Sequence, residues 1–146
     1  MDQKSIQILK KLREDSRLSI SDISKSTKNP RTLVFRKIKF MNKHFIKKYT
    51  SIINFKRLDY NIRVKFLIKS QNKRLINLLC KNKNVNSVLS IKGNYNYYIE
   101  TFFKNLAEFN NFDEKLKKLC KEKREHFVVE EIKEEAFING TGRNTF

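Results

Sequence analysis

The chain has three glycines, one proline, two cysteines, two histidines and no tryptophan, and its 15 acidic residues face 33 lysines and arginines. Each shortage excludes something. Glycines at positions 93, 140 and 142 alone cannot build a phosphate-cradling P-loop or a dinucleotide fingerprint, and no nucleophile elbow occurs. Cys80 and Cys120 stand far apart in helical-looking runs without a CxxC pair, which argues against a zinc site or a disulfide framework; two reduced, partly buried thiols are expected. His44 and His126 lack a carboxylate or cysteine partner at catalytic spacing, and the acids around Glu130 to Glu135 lack a converging histidine. The expectation is therefore no enzyme, no metal and no cofactor. With no apolar run near eighteen residues and no signal peptide, the chain is expected to be soluble and cytoplasmic.

What is present is cation. A formal charge of +18 on 146 residues calls for a polyanionic partner, nucleic acid before an anionic membrane, although sixteen asparagines and many lysines and isoleucines also fit the bias of an AT-rich coding sequence. Hydrophobic residues make up 39%, enough for a packed core. The charge is uneven: residues 1–50 hold 14 Lys and Arg against 4 acids, whereas residues 51–146 hold 19 against 11. A domain of residues 1–50, a hinge of 51–60, a second domain of 61–138 and a tail of 139–146 are expected.

Ile6, Leu9 and Leu12 recur at helical spacing up to Glu14, with Asp2 as a cap. A short second helix capped by Ser19 or Ser21 buries Ile20 and Ile23, and Thr27-Lys28-Asn29 makes a turn. Asn29-Pro30 opens a third helix, Asn as cap and Pro at the first helical position, running to about Lys43. Val34, Ile38 and Met41, widened by Leu33 and Phe40, form its apolar side. Thr32, Phe35, Arg36, Lys39 and Lys43 fall opposite, with Arg31 at the edge. That is the pattern of a helix-turn-helix whose third helix meets phosphates and base edges, Phe35 offering an apolar contact to a thymine methyl. A plain basic surface helix shows a similar face.

Phe45 to Ile53 is β-branched and aromatic, and reads as one or two strands leaving the helical unit. Ile62, Val64, Phe66 and Ile68 then alternate with polar neighbours as a strand. A helix follows over Lys73 to Asn82, with Leu75, Ile76, Leu79 and Cys80 on one stripe. Val85 to Ile91 and Tyr95 to Phe103 form a hairpin through Gly93-Asn94. Leu106, Phe109, Phe112, Leu116 and Leu119 stripe a longer helix, and Phe127 to Ile132 supplies the last strand. The order β-α-β-β-α-β predicts a ferredoxin-like sandwich with both helices on one sheet face, so the whole is an α+β protein. The open face, holding apolar groups such as Leu67, Val88 or the tyrosines, predicts dimerisation. Tyr95, Tyr97, Tyr98, Phe102 and Phe103 read as sheet core and interface, or as a base-stacking platform.

From about Asp2 to Ile138 the chain resembles the Lrp/AsnC, or feast/famine, family of prokaryotic transcription regulators. The likeness rests on Asp2 with Ile8-Leu9 and Leu12, Asp15 to Ile20, Asp22-Ile23-Ser24, Pro30, Arg36 with Ile38, Ile46 to Thr50, and Gly93 to Glu100. It implies an N-terminal winged-helix-like helix-turn-helix domain, a hinge strand, and a C-terminal ferredoxin-like effector domain. It further implies dimers that assemble into octamers, and an amino-acid effector held near the hairpin at Gly93, Asn94, Tyr95, Asn96 and Tyr97. Two residues depart from the pattern. His44 stands where a glycine is usual before the hinge, and Asn96 replaces a common Asp, losing a charge for an effector ammonium group. The expected function is sequence-specific regulation by binding double-stranded DNA; the alternative is a nucleoid-like protein that coats DNA with little preference. A third reading keeps only the second domain, as a sensor or enzyme subunit.

Overall fold

A computed structural model describes residues 1–133, which divide into two compact units, one containing Met1–Ile52 and the other Ile53–Glu131. The first unit holds three helices: α1 (Gln3–Glu14), α2 (Ile20–Thr27) and α3 (Arg31–His44). Asp2 caps α1, its carboxylate accepting from the Ser5 amide at 3.3 Å. Ser19 caps α2 by accepting from the Asp22 amide at 3.1 Å, while Asp22 accepts the Ser19 hydroxyl at 2.6 Å. The first bond satisfies a backbone donor that a helix start leaves orphaned, and the second fixes the capping hydroxyl. Lys28 ends α2 in the left-handed region with φ 53°. Ile8, Leu12, Ile23, Val34 and Met41 close the core, each buried side chain contributing about 1.5–3 kcal/mol.

Several expectations change here. The buried stripe of α1 is Ile8 and Leu12 with Leu9 against it, an i, i+4 pair, and Ile6 is only half-buried. Asn29 does not cap α3: its amide donates to the Thr27 carbonyl at 3.0 Å and closes the turn, so Pro30 occupies the cap position without a side-chain bond. Phe40 lies outside the core, exposed and 4.5 Å from the His44 ring. No strand forms between Ile46 and Asn54, so neither a wing nor a hinge strand is present there. The β-propensity of that stretch stands, but a strand exists only with a partner for its amides and carbonyls, and among the described residues this segment has none.

In the second unit a 3-10 turn (Phe55–Leu58) precedes β1 (Ile62–Lys69), α4 (Lys73–Lys81), β2 (Val85–Ser90), β3 (Tyr97–Phe103), α5 (Leu106–Lys117) and β4 (Glu122–Phe127). The sheet order is β2-β3-β1-β4, all antiparallel, which is the ferredoxin-like arrangement. Register sorts the faces. Val64, Phe66 and Ile68 lie opposite Thr101, Ile99 and Tyr97 on the face that α4 and α5 cover, where they meet Leu75, Leu79, Phe109, Phe112 and Leu116. Val88, opposite Ile99, packs on this same core and so does not belong to the open face. Arg63, Lys65 and Leu67 lie opposite Phe102, Glu100 and Tyr98 on the other face.

The stripes shift as well. Leu106 is exposed, Leu119 packs on the core from beyond the end of α5, and α4 buries Leu75 and Leu79 with Leu78 while Ile76 is half-buried and Cys80 exposed. Strand β4 begins five residues earlier than expected, over the charged run from Glu122. Edge strands carry charge because it discourages pairing with other chains, so this one shows no apolar signature. Residues 134–146, with Glu134, Glu135 and the expected tail, lie outside the described residues. No helix among the described residues is long and apolar enough to cross a membrane.

The cap of α1 also ties the head together, because Lys37 of α3 donates to both carboxylate oxygens of Asp2 at 2.9 Å. Bonds from Ser5 and from Lys37 hold the Asp2 carboxyl well below the ordinary 3.8. A depressed carboxylate stabilises the fold above its unfolded value and loses that contribution as pH falls through its folded one. Asp2→Ala should therefore lower the melting temperature of the head by a few degrees at neutral pH. In thermal scans the gap to the wild type should shrink only below about pH 4.

Candidate nucleic-acid interface

The third helix is placed by its apolar side. Val34 and Met41 are fully buried, with Ile38 packed against them, which turns the opposite arc outward. All six residues expected to touch DNA, Arg31, Thr32, Phe35, Arg36, Lys39 and Lys43, are exposed on α3. The cations differ in what they already do. Arg31 donates to the Ser21 hydroxyl at 2.7 Å, fixing the start of α3 against α2. Lys37 is spent on Asp2. Among the described residues, Arg36, Lys39 and Lys43 make no ion pair, and Phe35 stands 56% exposed between them. One helical stripe thus presents three uncommitted cations and an aromatic ring, able to neutralise phosphates and to touch a base edge. At its end the His44 ring lies tilted against Phe40 and the Phe45 ring meets Phe40 edge-on, with Phe40 and Phe45 ring centres 5.7 Å apart. Tyr49 donates to Asn42 at 2.6 Å and holds the exit of the helix.

Sequence reasoning missed two features of this unit. The ties of Arg31 to Ser21 and of Lys37 to Asp2 join residues 10 and 35 positions apart, beyond the reach of periodicity. An open cavity of about 420 Å³ also lies beside α1 and the end of α2, lined by Lys10, Lys11, Glu14 and Lys28 among others. The lysines of α1 gave only the signal of an ordinary polar face.

Of the five hairpin residues, Tyr95, Asn96 and Tyr97 have separate partners within the chain. Gly93 takes φ +139°, a conformation side chains rarely adopt, although a Cβ there would meet nothing within 4 Å; the backbone and not space requires glycine. Asn94 is exposed. Tyr95 donates to Glu122 at 2.7 Å, and this bond raises its phenol above the ordinary value. Asn96 ties the loop: its side-chain oxygen accepts the Ser70 amide at 3.0 Å, and its backbone amide donates to the Ile68 carbonyl at 2.8 Å. Tyr97 packs on the helix-covered core. Beyond the hairpin, Glu100 accepts from Arg63 at 2.6 Å and from Asn86 at 2.8 Å. Burial pushes its carboxyl up, yet those bonds outweigh burial and leave it below the ordinary range. Among the described residues no group of three or more His, Cys, Asp or Glu is placed to hold a metal.

No protein-family model matches the chain. It is 31% identical over 116 residues to the HTH-type transcriptional regulator FL11 of Pyrococcus furiosus, which covers 77% of this chain and 75% of that protein. An uncharacterized HTH-type transcriptional regulator of Pyrococcus abyssi is 27% identical over 141 residues, covering 92% of this chain and 94% of its own. Among solved structures, Bacillus subtilis LrpC superposes with a TM-score of 0.84 at 21% identity over 90% of this chain and 96% of its own. A transcriptional regulator of Neisseria meningitidis, solved as its L-Met complex, superposes with a TM-score of 0.83 at 19% identity over 92% and 93%. Three helices with a free cationic stripe, a β2-β3-β1-β4 sheet and these relatives agree: the chain belongs to the Lrp/AsnC family of transcription regulators.

Proposed function

We propose that this regulator binds double-stranded DNA through α3, with Arg36, Lys39 and Lys43 on phosphates or base edges, Thr32 and Phe35 between them, and Arg31 at the groove edge. The observation that carries the reading is the selective freedom of the stripe: Lys37, one residue from Arg36, is paired, whereas its outward neighbours are not. Binding takes place as a dimer or a larger assembly. The exposed Tyr49, Ile52 and Ile53 of the segment after α3, and the open sheet face with exposed Leu89, support a second copy as partner. Footprinting on promoter DNA tests the reading. Discrete protection repeating with the helical turn is expected, and uniform coverage would replace it with a DNA-coating role.

The hairpin Gly93–Tyr97 is the proposed amino-acid contact. Glu122, held by Tyr95, is the carboxylate there that can receive an ammonium group in place of the missing Asp. Support comes from the Neisseria neighbour, whose structure holds L-Met. Calorimetric titration with L-methionine should give binding that Glu122→Gln weakens about tenfold, as expected for a charge-assisted bond worth about 1.5 kcal/mol. Equal heats from both proteins would remove Glu122 from the site.

A further inference from the structure

The 3-10 turn that opens the second unit lies against one end of the sheet. Asn54 caps it by accepting the Arg57 amide at 3.3 Å, and the Tyr60 amide donates to the Phe55 carbonyl at 3.1 Å, so two aromatic rings are held on one short loop. Phe55 stacks on Phe102 of β3 with ring centres 4.0 Å apart. Asn84, just ahead of β2, is tied to that same residue twice: its carbonyl accepts the Phe102 amide at 2.8 Å, and its side-chain amide donates to the Phe102 carbonyl at 2.7 Å. Between the turn and the start of β2 lies a cavity of about 220 Å³, walled by Phe55, Leu58, Tyr60 and Phe102 and lined also by Lys83, Asn84 and Asn86.

Unpaired lysines are common in this unit and mark no site by themselves. Lys83 differs in bordering a cavity with three aromatic rings, and it makes no ion pair among the described residues. The acids beside it are committed: Glu100 accepts from Arg63 and from Asn86, and Glu108 accepts the Lys104 amide at 3.1 Å. A second cation, Lys104, stands over the Tyr60 ring, 5.2 Å from its centre. Aromatic walls accept a ring, and an uncommitted ammonium at the lining accepts a carboxylate. The volume falls below the roughly 300–1,000 Å³ of sites for drug-sized ligands, so a single ring with a short acidic arm fits and a nucleotide does not. The Gly93–Tyr97 hairpin joins the other ends of β2 and β3, about 20 Å away along the six residues of β2.

We infer that this cavity is a binding site for a small aromatic carboxylate, separate from both α3 and the hairpin. Full-length protein is titrated with para-fluorophenylacetate, and binding is followed by the fluorine signal of the ligand. The expected result is saturable binding that Leu58→Trp, which puts a larger side chain into the cavity, abolishes. Lys83→Gln should weaken it about tenfold, as loss of a charge-assisted bond does, and the uncharged para-fluorophenylacetamide should bind the wild type as weakly. Lys81→Gln, the same charge change outside the cavity, and Glu122→Gln at the hairpin should both bind like the wild type. No saturable binding, unaltered binding by Leu58→Trp, or equal losses in Lys81→Gln and Lys83→Gln overturns the inference. Loss in Glu122→Gln overturns it too and assigns the ligand to the hairpin. If no ligand binds while Leu58→Trp changes the mass of the assembly in light scattering, a second copy fills the cavity and the inference falls. Leu58 and Lys83 are exposed, and matching thermal melting curves establish that each variant is folded.

Discussion

Replacing Arg36 and Lys39 together by alanine should lower affinity for duplex DNA by about 2–4 kcal/mol, roughly 30- to 700-fold. Both side chains are exposed on α3 and make no ion pair among the described residues, so their removal disturbs no packing and breaks no internal bond. The loss should grow as salt is lowered, because each cation removed is a counterion no longer released; the slope of log K against log salt should fall by about 1–2. The discriminating control is Lys37→Ala. Lys37 lies on the same helix with the same charge, but its ammonium is held by Asp2, so its loss should cost DNA affinity little and head stability slightly. If Lys37→Ala weakened binding as much as the double variant, the contact would follow net charge and not the α3 stripe. Phe35→Ala should relax the preference at a thymine position while changing affinity for unrelated sequences little.

That contrast also shows what could be read from sequence. The apolar sets Ile23, Val34 and Met41 in the head, and Val64, Phe66, Ile68, Phe109, Phe112 and Leu116 in the second unit, repeat at spacings that identify their elements directly. The order β-α-β-β-α-β followed, and so did the outward arc of α3. Features set by partners distant in sequence did not. Periodicity cannot distinguish Lys37 from Lys39, since only the arrival of Asp2 from α1 separates them. At Asn96, where a ligand residue was expected, only the return of Ser70 to within 3.0 Å reveals a loop tie as well. Strand β4 was hidden because, at a charged edge, backbone pairing with β1 and not side-chain alternation defines it. The segment from Phe45 to Ile53 erred in the other direction, its β-branched residues predicting a strand for which the described residues offer no partner.

The largest stability effect is expected on the helix-covered face of that edge. Lys123 of β4 turns inward, about 10% exposed, with its ammonium against the equally buried Asp113 of α5 and over the Phe66 ring. Lys117 reaches the same carboxylate at 2.8 Å from the surface, and Glu125 takes the outer side of Lys123. Breaking a buried pair leaves one charge poorly solvated, which costs about 3–5 kcal/mol when nothing replaces the partner. Because Glu125 still attends Lys123, Asp113→Ala should cost about 2–4 kcal/mol and lower the melting temperature of the second unit by roughly 10–25 °C. Asp113→Leu combined with Lys123→Met removes both charges, leaves an unbranched apolar chain beside Phe66, and should come within about 1 kcal/mol of the wild type. For Asp113, burial raises the carboxyl but the bonds from Lys117 and Lys123 prevail and hold it below the ordinary 3.8. For Lys123, burial lowers the ammonium but its bonds to Asp113 and Glu125 raise it above the ordinary 10.5. The depressed acid contributes above its unfolded value and the raised base below its own, so the pair stabilises fully between about pH 4 and pH 10 and fades on either side. Thermal melting followed against pH should show that plateau in the wild type and a flatter profile in the double variant. Were Asp113→Ala to melt like the wild type at pH 7, the pair would be decoration at a sheet edge and not the contact that fastens β4 to α5.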